Sequence, residues 1–369
     1  MRYKFRLWHA AAAGVNALSV AGILILTGAG RAAAEAQSYN FAADRWDSSG
    51  GCRQISVYLT EDSGFTEYMA AGVRNTLLTE LKNVSVVPEE GVELIPDAYS
   101  APAGTATVRC DTMGRAEAEI TAAGGDFFLF RDFDLIDGAY FTENDIMQDG
   151  AVIDRSLAWS LYGSDRVSGM NMYINGVKFY ISGVIDTPST KAERNCAGEA
   201  PRAYISYEGA SRAVPANSGS DDGTASGGFD KVTVYECISP DPVENFTLNA
   251  LQNYFKGQYK DSFSVVDNTG RFEPGVLAKA FRGRWRYAVN DMPMVMPWWE
   301  NASRITEYRL STLYMIRRLL FIPPVLTALL LIFLLWRFVS RNKGRAVSAV
   351  IDKIYTINYN RRTRKENNK

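Results

Sequence analysis

The run Asp132-Phe133-Asp134-Leu135-Ile136-Asp137-Gly138, followed by Glu143, comes closest to a metal loop in this sequence. Calcium takes several oxygen ligands at set intervals, and Glu143 is the twelfth position counted from Asp132. But Ile136 stands where a third acid is needed, and Gly138 comes one place late. The run therefore reads as a solvated strand-to-turn crossing, and no metal site is expected. Cys52, Cys110, Cys196 and Cys237 are the next residues with chemistry. None forms a CxxC pair, and the only histidine, His9, lies far from all of them, which argues against zinc. An even number of cysteines suits disulfides in an oxidising compartment. Neighbourhood suggests Cys52–Cys110 and Cys196–Cys237, sequence leaves the connectivity open, and four buried thiols are the alternative. With one histidine near the N-terminus, no Ser–His–acid triad can be assembled further along. The many carboxylates predict solvation rather than acid–base work. No catalytic residue and no cofactor are expected.

Charge is distributed in blocks. Between Glu35 and Ile316 there are 24 basic and 39 acidic residues, while the stretch from Arg337 to Lys369 has ten basic and two acidic. An acidic middle excludes nucleic acid as a partner, since that needs a basic footprint. Residues 7–30 and 319–339 carry no charge except Arg337 near the end of the second run. Each is long enough to cross a bilayer, which takes roughly 20 residues. Arg2, Lys4 and Arg6 precede the first run, and Arg337, Arg341, Lys343 and Arg345 end or follow the second. The positive-inside rule then puts both termini in the cytoplasm. The expected organisation is a cytoplasmic N-terminus (1–6), a first membrane helix (7–30), an extracytoplasmic domain (31–318), a second membrane helix (319–339) and a basic cytoplasmic tail (340–369). Ala34-Glu35-Ala36 after an apolar run also fits a signal-peptide cleavage site, which would leave one anchor instead of two.

Alternation and helical spacing divide the middle. "CRQISVYLT" reads as a strand with Ile55, Val57 and Leu59 on one face, and Asp62 or Ser63 can cap the next helix. Phe65, Met69, Val73, Leu77 and Leu81 draw one helical stripe, and "VSVVP" reads as a closing strand. "KVTVYECI", a helix opened by Asp241-Pro242 with Glu244, and "SFSVVD" make a second strand–helix–strand unit. Between the two units, "TATVRC", "AEAEITA", "GAVID" and "RAYISY" are strands, and Ser156 to Tyr162 is a short helix ending at Gly163. "NMYINGVKFYISGVID" is a hairpin turning at Asn175-Gly176. Residues 213–228, mostly small and polar, read as a flexible loop. The expected class is α+β: two strand–helix–strand units and a β-rich subdomain, with helices on one face of the sheet.

The segment Gly124–Asp186 resembles the extracytoplasmic core of MacB-like and FtsX-like ABC transporter permeases. The likeness rests on "DFF", on the turn Gly138-Ala139-Tyr140-Phe141-Thr142, on "VID" before a short helix, on a turn at Gly169, and on a strand pair ending Gly183-Val184-Ile185-Asp186. The resemblance implies a membrane helix on each side of the domain, then two further helices, and a partner ATPase. The sequence carries neither those further helices nor a GxxxxGK[ST] phosphate loop, so a permease lacking its last two membrane helices is expected. Expected partners are a separate ATPase subunit, a full-length permease, or both, together with the lipid bilayer. Trp298 and Trp299 are candidate contacts to the bilayer or a partner. In the tail, Val347, Val350, Ile351 and Ile354 share one helical face, which suits a membrane surface or, by the resemblance, an ATPase. Pro323-Pro324 should interrupt the second span. The expected function is non-enzymatic: a membrane-anchored module that binds a substrate or partner and couples across the membrane. The alternative is a free-standing envelope receptor or regulator, for example of cell-wall enzymes.

Overall fold

A computed structural model describes residues 7–88, 91–112, 114–186, 188, 190–214, 229–260, 262–283, 294–341 and 356. The chain divides into a body, Arg31–Thr312, and a smaller unit made of Met1–Gly30 with Leu313–Lys369. In chain order the elements are α1 (Leu7–Glu35), α2 (Ala42–Trp46), β1 (Cys52–Leu59), α3 (Glu67–Asn83), β2 (Asp97–Cys110), β3 (Arg115–Gly125), α4 (Phe127–Phe130), β4 (Leu135–Gly138), β5 (Gly150–Asp154), α5 (Arg155–Tyr162), β6 (Asn171–Ile174), β7 (Val177–Ile185), α6 (Lys191–Ala197), β8 (Arg202–Ile205), α7 (Tyr207–Ala213), β9 (Val234–Pro240), α8 (Phe246–Tyr259), β10 (Phe263–Asp267), α9 (Pro274–Arg282) and α10 (Trp298–Leu320).

The body is α+β. Its strands run in the order β10-β1-β9-β2-β3-β8-β5-β7-β4, and β6 pairs with both β2 and β7. Strands β2, β3, β8, β5, β7 and β6 therefore close a ring, while β10, β1 and β9 extend from it as an open flank. The long β2 belongs to both parts. Asp97–Ser100 pair with β9, and Val108–Cys110 pair with β6. A register shift between Pro102 and Gly104 lies between these two stretches, and proline, which has no N–H to give a ladder, is tolerated at such a bulge.

The second strand–helix–strand unit (β9, α8, β10) forms as expected. Asp241 accepts from the N–H groups of Asn245 and Thr247, but the helix starts at Phe246, behind a left-handed Asn245, rather than at Pro242. In the first unit, "VSVVP" is not a strand. Ser85 takes φ 66°, Val84 and Val87 are exposed, and the chain re-enters the sheet only at Asp97. The α3 stripe also differs by one position: Ala70, not Met69, joins Val73, Leu77 and Leu81 in the core. β5, α5 and the Asn175-Gly176 hairpin lie where the sequence places them. Asp154 caps α5 by accepting from Leu157 N–H at 2.7 Å, and both turn residues have positive φ.

Helices do not cover one face alone. Alternate residues Ile55, Val57 and Leu59 of β1 meet α3 and α8 in the larger core. Gln54, Ser56 and Tyr58, on the opposite face, are equally buried, beneath residues 37–46 and α10. This three-layer arrangement rules out the expected disulfides, and all four cysteines are free. Cys52 packs in the aromatic cluster on the α10 side, and Cys110 in the core on the α3 side. Cys237 is buried in that same α3-side core, whereas Cys196 lines a cavity on the α10 side with Val234 and Trp299. Each neighbouring pair is thus split across the sheet, whereas a disulfide requires Cβ atoms roughly 3.5–4.5 Å apart.

In the smaller unit, Asn16 Nδ2 donates to Thr327 Oγ1 at 3.0 Å, and Gly22 leaves a Cβ only 3.0 Å from Leu320 Cδ1. Among the described residues, two helices are long and apolar enough to cross a membrane, Trp8–Glu35 and Trp298–Arg341. A turn at Phe321, just before Pro323-Pro324, interrupts the second.

Gly138 and Gly169 both have positive φ, but they differ in their surroundings. A Cβ on Gly138 would run into the Ser182 carbonyl of the neighbouring strand, whereas Gly169 faces open space. Gly169→Ala should cost about 1 kcal/mol, the backbone strain alone, and Gly138→Ala about 2 kcal/mol or more. Thermal melts of the two variants measure the difference.

Candidate functional site

The α10-facing side of the flank carries a seam of buried charge. Arg271 follows β10 and is 5% exposed; Glu300 is in the first turn of α10 and is 2% exposed. The Arg271 guanidinium grips Glu300 in bidentate fashion, with Nη1 donating to Oε2 at 2.9 Å and Nη2 to Oε1 at 3.0 Å. Its Nε donates to Glu307, two helical turns further along, at 3.1 Å. Arg304 Nε donates to the same Glu300 at 2.7 Å, and Tyr58 Oη does so from β1 at 3.1 Å. Asn40 joins both sides, accepting from Arg271 and donating to Ser303. A second buried ion pair, Arg131 with Glu236, lies on the same face. The Trp299 ring covers that guanidinium, 4.3 Å from Arg131 Cζ.

Burial alone would push the Glu300 carboxyl up. Arg271 and Arg304 overcome it and hold Glu300 below the usual carboxylate range. Burial likewise opposes charge on Arg271, but Glu300 and Glu307 outweigh it and raise its affinity for the proton. Arg131 is pulled down to about 10, mainly by burial. The charges of Arg271 and Glu300 persist because each has partners with good geometry, the condition under which buried ions are tolerated.

A cleft of about 730 Å³ opens at the other side of the body, where α3, β2, β3, the segment 139–149 and α7 meet. Tyr99 stands in its wall between Glu67 and Glu143, 2.9 and 2.8 Å from them. The cleft also holds Asp145, Glu208 and Asp230 and the rings of Phe128, Phe141 and Tyr207. The residues of the calcium-like spacing separate here. Glu143 turns to Tyr99 and to the N–H of Gly125, Asp137 accepts from Ser168 N–H, and Asp132 lies 3.9 Å from Arg45. Among the described residues no group of three or more His, Cys, Asp or Glu side chains could hold a metal ion.

A model of the MacB-like periplasmic core domain family matches residues 15–235. The chain belongs to this family. Among solved structures, it is similar to the periplasmic region of MacB from Actinobacillus actinomycetemcomitans, at 15% identity over 58% of this chain and 89% of that one, TM-score 0.37. It is also similar to the extracellular domain of the noncanonic ABC-type transporter YknZ from Gram-positive bacteria, at 14% identity over 58% of this chain and 99% of that one, TM-score 0.38. No curated protein matches.

The seam in this MacB-like body changes the reading of the tryptophans. Trp299 is 5% exposed and packs edge-on against Phe127, and half-buried Trp298 packs against Tyr39 and Phe133. They close the body's own core, so Trp299 is not offered to a bilayer or a partner. Val347, Val350, Ile351 and Ile354 lie outside the described residues. Sequence reading missed Arg271, Glu300 and Glu307. A signal was present: Glu300, Ser303 and Glu307 recur on one helical face among apolar Trp299, Ala302 and Leu310.

Arg271→Met should cost about 3–5 kcal/mol, because it takes the bidentate partner from buried Glu300 and a charged partner from Glu307; denaturant unfolding of the solubilised chain measures this. A second outcome concerns pH. Burial raises Asp97 to about 7 and Asp126 and Asp154 to about 6 each, against the ordinary 3.8. A carboxyl with a raised folded pKa contributes stability that is present below its unfolded value and lost as pH climbs through the folded one. The melting temperature should therefore fall as pH rises through 6 and 7. Asp97→Asn, which keeps an acceptor for the Tyr235 hydroxyl, should flatten the upper part of that fall. Glu300, held low, titrates below this window.

Proposed function

We propose that this MacB-like domain is a non-enzymatic coupling module of an ABC-transporter-permease-like membrane complex. On this reading, the two apolar helices cross the membrane, both termini are cytoplasmic, and the body faces outside. The seam carries the proposal. α10, whose sequence continues into the second candidate span, is fixed to the sheet by a bidentate buried ion pair and a second carboxylate two turns on. Such a joint resists shear, because sliding α10 by one turn would break the two-point contact between buried Arg271 and Glu300. Movement at either end would then pass to the other instead of dissipating at the contact. Partners of this module are a separately encoded ATPase, a full-length permease, or both, with the basic tail as the docking element.

The test is purification of the full chain in mild detergent from its native host. An ATPase or permease subunit should co-elute; recovery of the chain with no membrane partner removes the transporter reading and leaves a free-standing receptor. The placement of the body is checked by a membrane-impermeant maleimide on right-side-out vesicles. Half-buried Cys52 and Cys196 should label from outside, and buried Cys110 and Cys237 only after denaturation.

A further inference from the structure

Tyr99 raises a problem of proton count. Its phenol has one proton to donate, yet Oη lies within hydrogen-bonding distance of both Glu67 Oε1 and Glu143 Oε1. With both carboxylates ionised, one contact would set two lone pairs against each other. Both are hydrogen bonds only if one carboxyl carries a proton. Glu143 also accepts from the backbone N–H of Gly125, which suits its ionised form. The chain then reads Glu67 O–H to Tyr99 Oη, and Tyr99 O–H to Glu143. Burial, the largest effect on the Glu67 carboxyl, raises it; the Tyr99 contact opposes this, and Glu143, Asp230 and Glu208 reinforce it.

We propose that Glu67, Tyr99 and Glu143 form a proton-held latch, which ties segment 139–149 to the start of α3 and to β2 along the wall of the cleft. Outside the latch the tip is held by the Gly125 N–H to Glu143 and by Arg212 to the Met147 carbonyl, with little packing. Ile146 is 96% exposed and Met147 66%, so burial contributes little there. Its base is fixed separately: Gln148 Nε2 donates to the carbonyls of Glu143 and Asp145, and Ser206 Oγ donates to the Gln148 carbonyl. Loss of the latch proton puts two carboxylates around one phenol, and the tip swings away from α3.

Among the described residues the surroundings hold more acids than cations, and Arg74, which attracts Glu143, is shared with other carboxylates. On α3, Arg74 already pairs with Asp97 and Glu93. On α7, Arg212 is bonded to the carbonyls of Met147 and Gln148, and Glu208 adds negative charge. Before β9, Lys231 pairs with Glu61, beside Asp230. Asp126, after β3, and Asp145, within the segment, are further acids. The latch is therefore closed at low pH and opens as pH rises above the free-glutamate value of 4.5 through the raised Glu67 value.

Hydrogen exchange of the full chain in nanodiscs tests this, with rates corrected for intrinsic chemistry. In the wild type, exchange in 139–149 should be about tenfold faster at pH about 8 than at about 5. Glu67→Gln, whose amide donates to Tyr99 as the protonated acid does, should keep the segment slow at both values. Tyr99→Phe should leave it fast at both. Peptides from β1 and β9 serve as the folding control in each variant. An independent reading is the infrared carboxyl stretch at the acidic end of the range, about pH 5, where the wild-type spectrum should contain a protonated band that Glu67→Gln removes. A wild-type segment whose exchange ignores pH, a Glu67→Gln variant that responds like the wild type, or no carboxyl band lost on that substitution overturns the latch.

Discussion

Arg271 holds two carboxylates of α10 inside the body, and much of the architecture depends on that contact. A guanidinium and a carboxylate removed from water are tolerated only where every donor and acceptor is met. Tyr58, Asn40, Asn268 and Arg304 supply the remaining bonds to this pair. The residues that meet them come from β1, from the turn after β10, and from residues 37–46. These segments are far apart in sequence, and the ion pair fixes their spacing. The second face of the sheet is therefore a polar interior, closed at its edge by Trp299 over Arg131. Apolar packing at the same place could be as stable, but it would slide more easily. Charge with two-point geometry defines one register.

The sequence made the α3 side of the sheet readable and left the α10 side hidden. Ile55, Val57 and Leu59 alternate with polar residues, and alternation normally means one buried face and one wet face. Gln54, Ser56 and Tyr58 break that rule because residues 37–46 cover Gln54 and a helix from the other end of the body covers Tyr58. No local pattern announces a cover that arrives some 240 residues later. The misplaced strand at "VSVVP" has a related cause. Valines favour strands, but propensity gives no neighbour to pair with, and these valines have none. The hairpin at Asn175-Gly176, the Asp154 cap and the Gly163 stop were legible because their causes lie within a few residues. The cysteine pairing failed for the opposite reason. Closeness in sequence says nothing about which face of a sheet a side chain takes, and each supposed pair falls on opposite faces.

The two polar sites in the body answer protons differently. In the seam, acid meets base with near-ideal geometry, which holds Glu300 low and keeps the charges fixed through ordinary pH. In the cleft wall, acids meet a phenol and other acids, and burial holds Glu67 high. One arrangement resists change and the other is poised for it. The proposed coupling role would draw on both properties: a joint that stays rigid while it is pushed, and a surface segment that can move without disturbing it. The sheet separates them physically, since Tyr99 belongs to the core on the α3 side while Glu236 and Tyr58 face α10.

β2 is the element both sites share by proximity. Its first residues carry Asp97 and Tyr99 and pair with β9, whose Glu236 belongs to the seam; its last residues close the ring through β6. A shift of the 139–149 segment would load β2 through Tyr99, and β2 would pass that load to β9 through four paired residues, Asp97–Ser100. The bulge between Pro102 and Gly104 interrupts the ladder just beyond them. Tyr99 is itself paired with Gly124 of β3, before the bulge, so the same load also reaches the ring directly. Residues Ala98–Ser100, paired with β9 on one side and β3 on the other, thus link the cleft wall to both halves of the body.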